Sequence, residues 1–165
     1  MTRAATLLAN TLTNHGVDRV FCVPGESYLA LIDALYDTPS IDVVTARHEG
    51  GASFMAVADA KMTGKPGIVM VSRGPGATNA SIGVHVSQQD AVPVIMFVGQ
   101  VSREDRGRGA FQEVDYVKTY SDMAKWVIEV SDADKISECV RRAFVIAQSG
   151  TPGPVIISLP EDMLL

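Results

Sequence analysis

The chain has 165 residues, 47% of them apolar and 20% charged, with a formal net charge of −5. That length suits one domain with a sizeable core, and the balance of apolar and charged residues excludes a disordered chain. The acidic charge argues against a nucleic-acid surface, which needs a basic stripe, and no apolar run reaches the length that spans a membrane.

From the N-terminus, Ala5, Leu8 and Leu12 form an i, i+3, i+4 stripe that predicts a helix over residues 2–15. Its Thr-rich start, with Arg3 and no acid, has a trace of transit-peptide composition, but the stripe makes it the first core helix. A short strand follows over 20–23, a helix over 28–36 and a β-branched strand over 41–45. Ala52, Met55, Ala56, Ala60 and Met62 recur at helical spacing and predict a helix over 50–62. The rhythm continues with a strand over 67–72, a helix over 77–88 and a strand over 94–99. It closes with a strand over 125–130, a helix over 133–148 and a strand over 155–159. Six short apolar strands alternating with helices imply an α/β fold, a three-layer α/β/α arrangement on a six-stranded, mostly parallel sheet. Gly and Pro punctuate the short connections, as in Gly64-Lys65-Pro66-Gly67.

One connection, residues 100–122, breaks that rhythm. It is charged and turn-rich over 102–109 and then turns mixed at Phe111-Gln112. Long connections in compact domains are usually functional or mobile, and a purely solvated loop has no use for Phe111.

Cys22 and Cys139 match no metal spacing, and His15, His48 and His85 form no ligand group, so no metal site is expected in this chain. Two core-like thiols suit a reducing, cytoplasmic setting, although spacing alone does not decide whether they pair.

Glu49 stands between the strand over 41–45 and the helix that follows, near the carboxyl end of a strand, where open α/β sheets place their ligands. Two readings fit. Glu49 either favours the helix start through the macrodipole, worth a few tenths of a kcal/mol, or carries chemistry. Gly74-Pro75-Gly76-Ala77-Thr78-Asn79 opens another helix after a strand. Such a turn either cradles an anion on free N–H groups or packs tightly and lines a cleft. It is no Walker loop, and Asn79 stands where a dinucleotide fingerprint needs its last glycine. The same sheet edge collects Pro24-Gly25, Glu49, Gln100 and Phe111-Gln112, a mix suited to a flat heteroaromatic ligand with a few polar anchors. No nucleophile has a base beside it, so a cofactor would carry the hard chemistry.

Six segments in order carry a family resemblance. They are Val23-Pro24-Gly25-Glu26, Arg47-His48-Glu49-Gly50-Gly51-Ala52, Gly64-Lys65-Pro66-Gly67, Gly74-Pro75-Gly76-Ala77-Thr78-Asn79, Val98-Gly99-Gln100-Val101 and Ala110-Phe111-Gln112-Glu113-Val114-Asp115. Together they resemble the N-terminal, pyrimidine-binding domain of thiamine-diphosphate-dependent enzymes, nearest the acetolactate synthase large subunit. The resemblance runs on through Gly150-Thr151-Pro152-Gly153-Pro154 and Leu159-Pro160-Glu161-Asp162, so it covers nearly the whole chain.

The resemblance implies that Glu49 is the catalytic carboxylate. It would hydrogen-bond N1′ of the cofactor's aminopyrimidine and favour the imino tautomer that removes the thiazolium C2 proton. Burial raises a Glu pKa by as much as ~3–5 units, which would keep such a proton shared at neutral pH. Pro24, Gly25, Thr78, Asn79 and Gln112 would line the cofactor, and Phe111 with Gln112 would lie near a 2-oxo acid substrate such as pyruvate. His48 is expected to be structural, and His85 to serve packing or an interface.

The family's Gly-Asp-Gly segment, which binds diphosphate and Mg²⁺, is absent from residues 1–165. The chain is therefore expected to be the N-terminal part of a longer enzyme. Mg²⁺, and FAD where it is used, would bind domains outside it. The family also implies a homo-oligomer, a dimer or tetramer, because the pyrimidine domain of one subunit meets the diphosphate domain of another. Two alternatives stand beside this reading: another thiamine-diphosphate enzyme (a 2-oxo acid decarboxylase or acyltransferase), and a non-catalytic flavodoxin-like module that binds a nucleotide or a partner protein.

Overall fold

The computed structural model describes residues 2–165. Helix α1 (Ala4–Asn14) buries the stripe Ala5, Leu8 and Leu12 together with Ala4, Ala9 and Thr11. Strand β1 (Arg19–Cys22), helix α2 (Leu29–Tyr36), strand β2 (Asp42–Thr45), helix α3 (Glu49–Thr63), strand β3 (Gly67–Val71), helix α4 (Pro75–Gln89) and strand β4 (Val94–Gln100) follow in turn. Helix α5 (Tyr116–Tyr120), strand β5 (Trp126–Glu129), helix α6 (Ile136–Gln148), strand β6 (Pro154–Pro160) and a 3₁₀ turn at Glu161–Leu164 complete the order. A 3₁₀ turn at Glu26–Tyr28 leads into α2, predicted to begin at residue 28, and one at Ala133–Lys135 leads into α6, where periodicity predicts continuous helix from residue 133. The long connection is not structureless: it contains a 3₁₀ turn at Arg103–Asp105 and the whole of α5.

The six strands form one sheet in the order β2-β1-β3-β4-β6-β5, and every pairing is parallel. Strands β3, β4 and β6 are buried along their whole length, whereas the edge strands β2 and β5 are half-exposed or exposed. Alternate residues of each inner strand serve opposite faces, as the period of two requires. Val20, Cys22, Ile68, Met70, Ile95, Phe97, Val155 and Ile157 pack with α1, α2 and α6. Phe21, Val69, Val71, Val94, Met96, Val98 and Ile156 pack with α3, α4 and the tyrosines of α5. The result is two apolar cores with the sheet between them.

This layering positions the site. After β1 the chain turns to α2 on one face; after the neighbouring β3 it turns to α4 on the other. The connections diverge between the carboxyl ends of β1 and β3, the place where doubly wound sheets open a crevice for ligands.

Candidate functional site

The crevice is narrow at its floor because Gly25 lies directly against Ser72: a Cβ added at Gly25 would come within 2.6 Å of the Ser72 Cβ. Ser72 Oγ also shares a 3.0 Å hydrogen bond with Ser27 Oγ, so the turns after β1 and β3 are joined. Pro24 is exposed beside this contact and Gly25 is half-buried.

Glu49 is the first residue of α3 and is half-buried. Its side chain does not cap its own helix. His48 does that, with Nδ1 accepting the Gly50 N–H at 3.0 Å. The Glu49 carboxylate reaches across to α4 instead, where Asn79 Nδ2 donates to Oε2 at 3.0 Å. Oε1 lies 3.4 Å from the place a Cβ on Gly76 would take. A helix-start role alone would leave the carboxylate beside its own first turn. The observed reach instead places the carboxylate between the first turns of α3 and α4.

The Gly74–Asn79 turn is a wall of the crevice rather than an anion cradle. Most of its amides are already used: Arg73 N–H donates to Ser27 Oγ at 3.1 Å, Gly74 N–H to Tyr116 Oη at 2.9 Å, and Ala77 N–H to Ser72 O at 3.0 Å. Thr78 N–H donates to Gly74 O, and Pro75 has no N–H to offer. The Thr78 hydroxyl also donates to Gly74 O, at 3.1 Å, so Thr78 shapes the turn from within. Gly74 has φ +61°, a region that L side chains rarely adopt, and a Cβ there would come within 2.8 Å of the Gln112 Cβ.

Gln112 thus sits on the Gly74 turn, and its own φ of +63° is unusual for a residue with a side chain. The neighbouring Phe111 is 73% exposed, a large aromatic ring with nothing of this chain to cover it. Gln100, expected to line the edge, is instead fully buried. Its Nε2 donates to Val114 O at 2.8 Å and to Glu129 Oε2 at 3.2 Å, and it anchors the long connection to β5 because a buried amide needs partners for its donors. His85 is exposed on α4 rather than packed. The structure therefore pairs Glu49 with Asn79, sets Gly25 against Ser72 and Gly74 against Gln112, and keeps Thr78 on the Gly74 turn, while Pro24 and Phe111 stay exposed beside Gly25 and Gln112.

Residues 2–119 match the family described as thiamine pyrophosphate enzyme, N-terminal TPP binding domain. The chain belongs to this family. It is 38% identical over 162 residues to an acetolactate synthase of Bacillus subtilis (strain 168), covering 98% of this chain and 28% of that protein. It is 39% identical over 164 residues to the acetolactate synthase isozyme 3 large subunit of Escherichia coli (strain K12), covering 99% of this chain and 29% of that one. With the acetolactate synthase large subunit of Lactococcus lactis subsp. lactis (strain IL1403) the identity is 40% over 162 residues, covering 98% and 28%. The chain thus spans less than a third of the length of these relatives.

The donor set of this thiamine pyrophosphate-binding domain has the chemistry to hold part of that cofactor. A carboxylate with one oxygen held by an amide and the other at a glycine-walled crevice suits a flat ring with a protonatable nitrogen. Among the described residues no group of three or more His, Cys, Asp or Glu is placed to hold a metal ion. No helix among them is long and apolar enough to cross a membrane. Both cysteines are free, and burial pushes the Cys22 and Cys139 thiols up, away from the reactive thiolate.

Sequence reading missed the residues that hold the domain's turns. Tyr28 Oη donates to Val23 O at the end of β1, Tyr116 Oη accepts from Gly74, and Tyr120 Oη donates to Ala77 O. All three phenols are buried, and burial pushes their pKa values up, which keeps the protons in place. Their only sequence signal is tyrosine in otherwise apolar positions.

Proposed function

We propose that this chain is the pyrimidine-binding domain of an acetolactate synthase-like enzyme and that Glu49 activates the aminopyrimidine of thiamine diphosphate. The observation that carries this reading is the Glu49 carboxylate in the β1/β3 crevice, with Oε2 held by Asn79 and Oε1 at the Gly76 turn. Oε1 is the oxygen that would share a proton with the ring nitrogen. Asn79 fixes the rotamer that points it there, Gly25 and the Gly74 turn wall the ring, and Pro24 and Thr78 border it. Gln112 and Phe111 face the substrate side. The chemistry the cofactor supplies when bound is a nucleophilic carbon for decarboxylation and carboligation of a 2-oxo acid such as pyruvate.

Glu49 is half-buried in this chain, which leaves part of its carboxylate open to a second surface. That surface would be a diphosphate-binding domain of a partner subunit, which would also hold Mg²⁺; FAD, where used, would bind a further domain. The length of the relatives supports a longer polypeptide, and the exposed apolar residues Phe54, Met62 and Ile82 on α3 and α4 support a homo-oligomer. Free thiols suit a cytoplasmic setting.

The test uses the complete polypeptide with pyruvate, thiamine diphosphate and Mg²⁺. Acetolactate is the expected product; acetaldehyde or an acylated acceptor would assign the chain to a decarboxylase or an acyltransferase. Glu49→Gln should slow C2–H exchange of the bound cofactor by about 10²–10⁴-fold. Exchange at the parental rate removes Glu49 from the chemistry.

A further inference from the structure

We propose that Arg73 is a positioning residue that sets the width of the β1/β3 crevice, an inference that rests on the cofactor reading above. Its guanidinium is the buried charge nearest the site, with a side chain only 10% exposed. Nη2 donates to Glu26 Oε1 at 3.0 Å and Nη1 to Glu161 Oε2 at 2.8 Å, while Nε is buried with no partner. Burying a cation with one donor unsatisfied is a poor way to gain stability, because desolvation offsets most of the Coulombic attraction. Such a group is better understood through what it holds in place.

Arg73 lies between Ser72, which abuts Gly25, and Gly74, which abuts Gln112. Glu26 directly follows Gly25 in the turn after β1. Glu161 directly follows β6 and also accepts from Ser102 Oγ at 3.2 Å, beyond the end of β4. One guanidinium therefore ties together the ends of β1, β3 and β6, and through Glu161 the end of β4. All four strand ends border the crevice or the long connection that carries Gln112. The planar fork is what makes this work: two separate nitrogens held in one rigid plane serve two carboxylates at once, whereas an ammonium offers its donors from one nitrogen on a flexible stem. If the fork is lost, Ser27 alone ties the two turns, through Ser72 Oγ and the Arg73 N–H, and the Gly25 and Gly74 walls are held less firmly. Displacements on the order of 1 Å in a site of this kind cost about 10²-fold in rate.

The experiment compares Arg73→Lys and Arg73→Met with the parent in the complete polypeptide. It reads melting temperature, cofactor affinity, C2–H exchange of bound thiamine diphosphate, and kcat and KM for pyruvate. Arg73→Lys is expected to fold with near-parental melting temperature, to bind cofactor with little change, and to lose about 10- to 100-fold in both exchange rate and kcat. Glu26→Gln should cause part of that loss, and the double variant less than the sum, because the two residues act as one unit. Parental exchange and kcat in Arg73→Lys, or a loss that only tracks the unfolded fraction in both variants, overturns the positioning role alone. Absence of exchange in the parent enzyme overturns the cofactor reading and this role with it.

Discussion

His48 Nδ1 accepts the Gly50 N–H at 3.0 Å, so the imidazole caps α3 and releases the next residue, Glu49, to reach α4. Two adjacent residues thereby divide the work of a helix start: one satisfies an orphan amide, the other is presented to the crevice. His48→Ala should cost about 1 kcal/mol of stability, the usual worth of a cap, and His48→Asn should recover most of it. Urea unfolding of the three proteins decides the matter, and equal midpoints would show that the cap contributes nothing. At this scale the local sequence was informative. Glu49 is visible at a strand-to-helix junction from its neighbours, which leave its role open, and the resemblance makes the adjacent His48 structural. Asn79, 30 residues further on, is recognisable as the partner of Glu49 only once α3 and α4 lie side by side.

Among the elements, the long connection between β4 and β5 shows how a charged segment is ordered. Glu113 accepts the Gly107 N–H at 2.7 Å and pairs with Arg106, whose Nε donates to Glu129 on β5 at 2.9 Å. The Gly107 amide first, and then the Arg106 guanidinium, outweigh the opposing effect of burial and hold the Glu113 carboxyl below its ordinary range. A lowered folded-state pKa means that the charged form binds its partners. Its contribution is present in full above the unfolded-state value and lost as pH falls through the lower folded one. Glu113→Gln should therefore melt earlier than the parent at pH 7, with the gap closing as the solution is acidified below the ordinary glutamate range. Thermal melts at a series of pH values read this, and a gap that persists in acid would mean that the charge is not what orders the loop. The sequence shows the charges of this segment but not their pairing, since Arg103, Arg106 and Arg108 are equivalent by composition. The position of Glu129 on the neighbouring strand selects Arg106.

For the whole molecule, the outer surfaces of α3 and α4 carry apolar side chains with no covering layer: Phe54 is 42% exposed, Ile82 53% and Met62 86%. Gly51, Phe54, Ala58 and Met62 follow one another at intervals of three or four on α3, so they form one exposed stripe, and Ile82 and His85 are exposed on α4, which packs against α3. A second copy of the chain in its complete polypeptide is the partner that the proposed function requires. Phe54→Lys combined with Ile82→Lys should therefore shift the sedimenting species to monomer and abolish activity. An unchanged oligomer would place the subunit contact elsewhere.

Apart from α5 and the burial of Gln100, the local sequence sufficed for the alternation of helices and strands, because periods of 3.6 and 2 are properties of a single segment. It also sufficed for the family, through motifs that each lie within one turn. Strand order is not a local property: a parallel sheet built from these six strands satisfies the same periodicities in several orders, and only packing selects β2-β1-β3-β4-β6-β5. That choice makes β1 and β3 neighbours, opens the crevice between them, and brings Arg73 to Glu26 and Glu161 across 47 and 88 residues of chain. Hydrogen bonds over such separations leave no trace in the sequence around either partner, so the tertiary structure alone decided how the Glu49 carboxylate is framed.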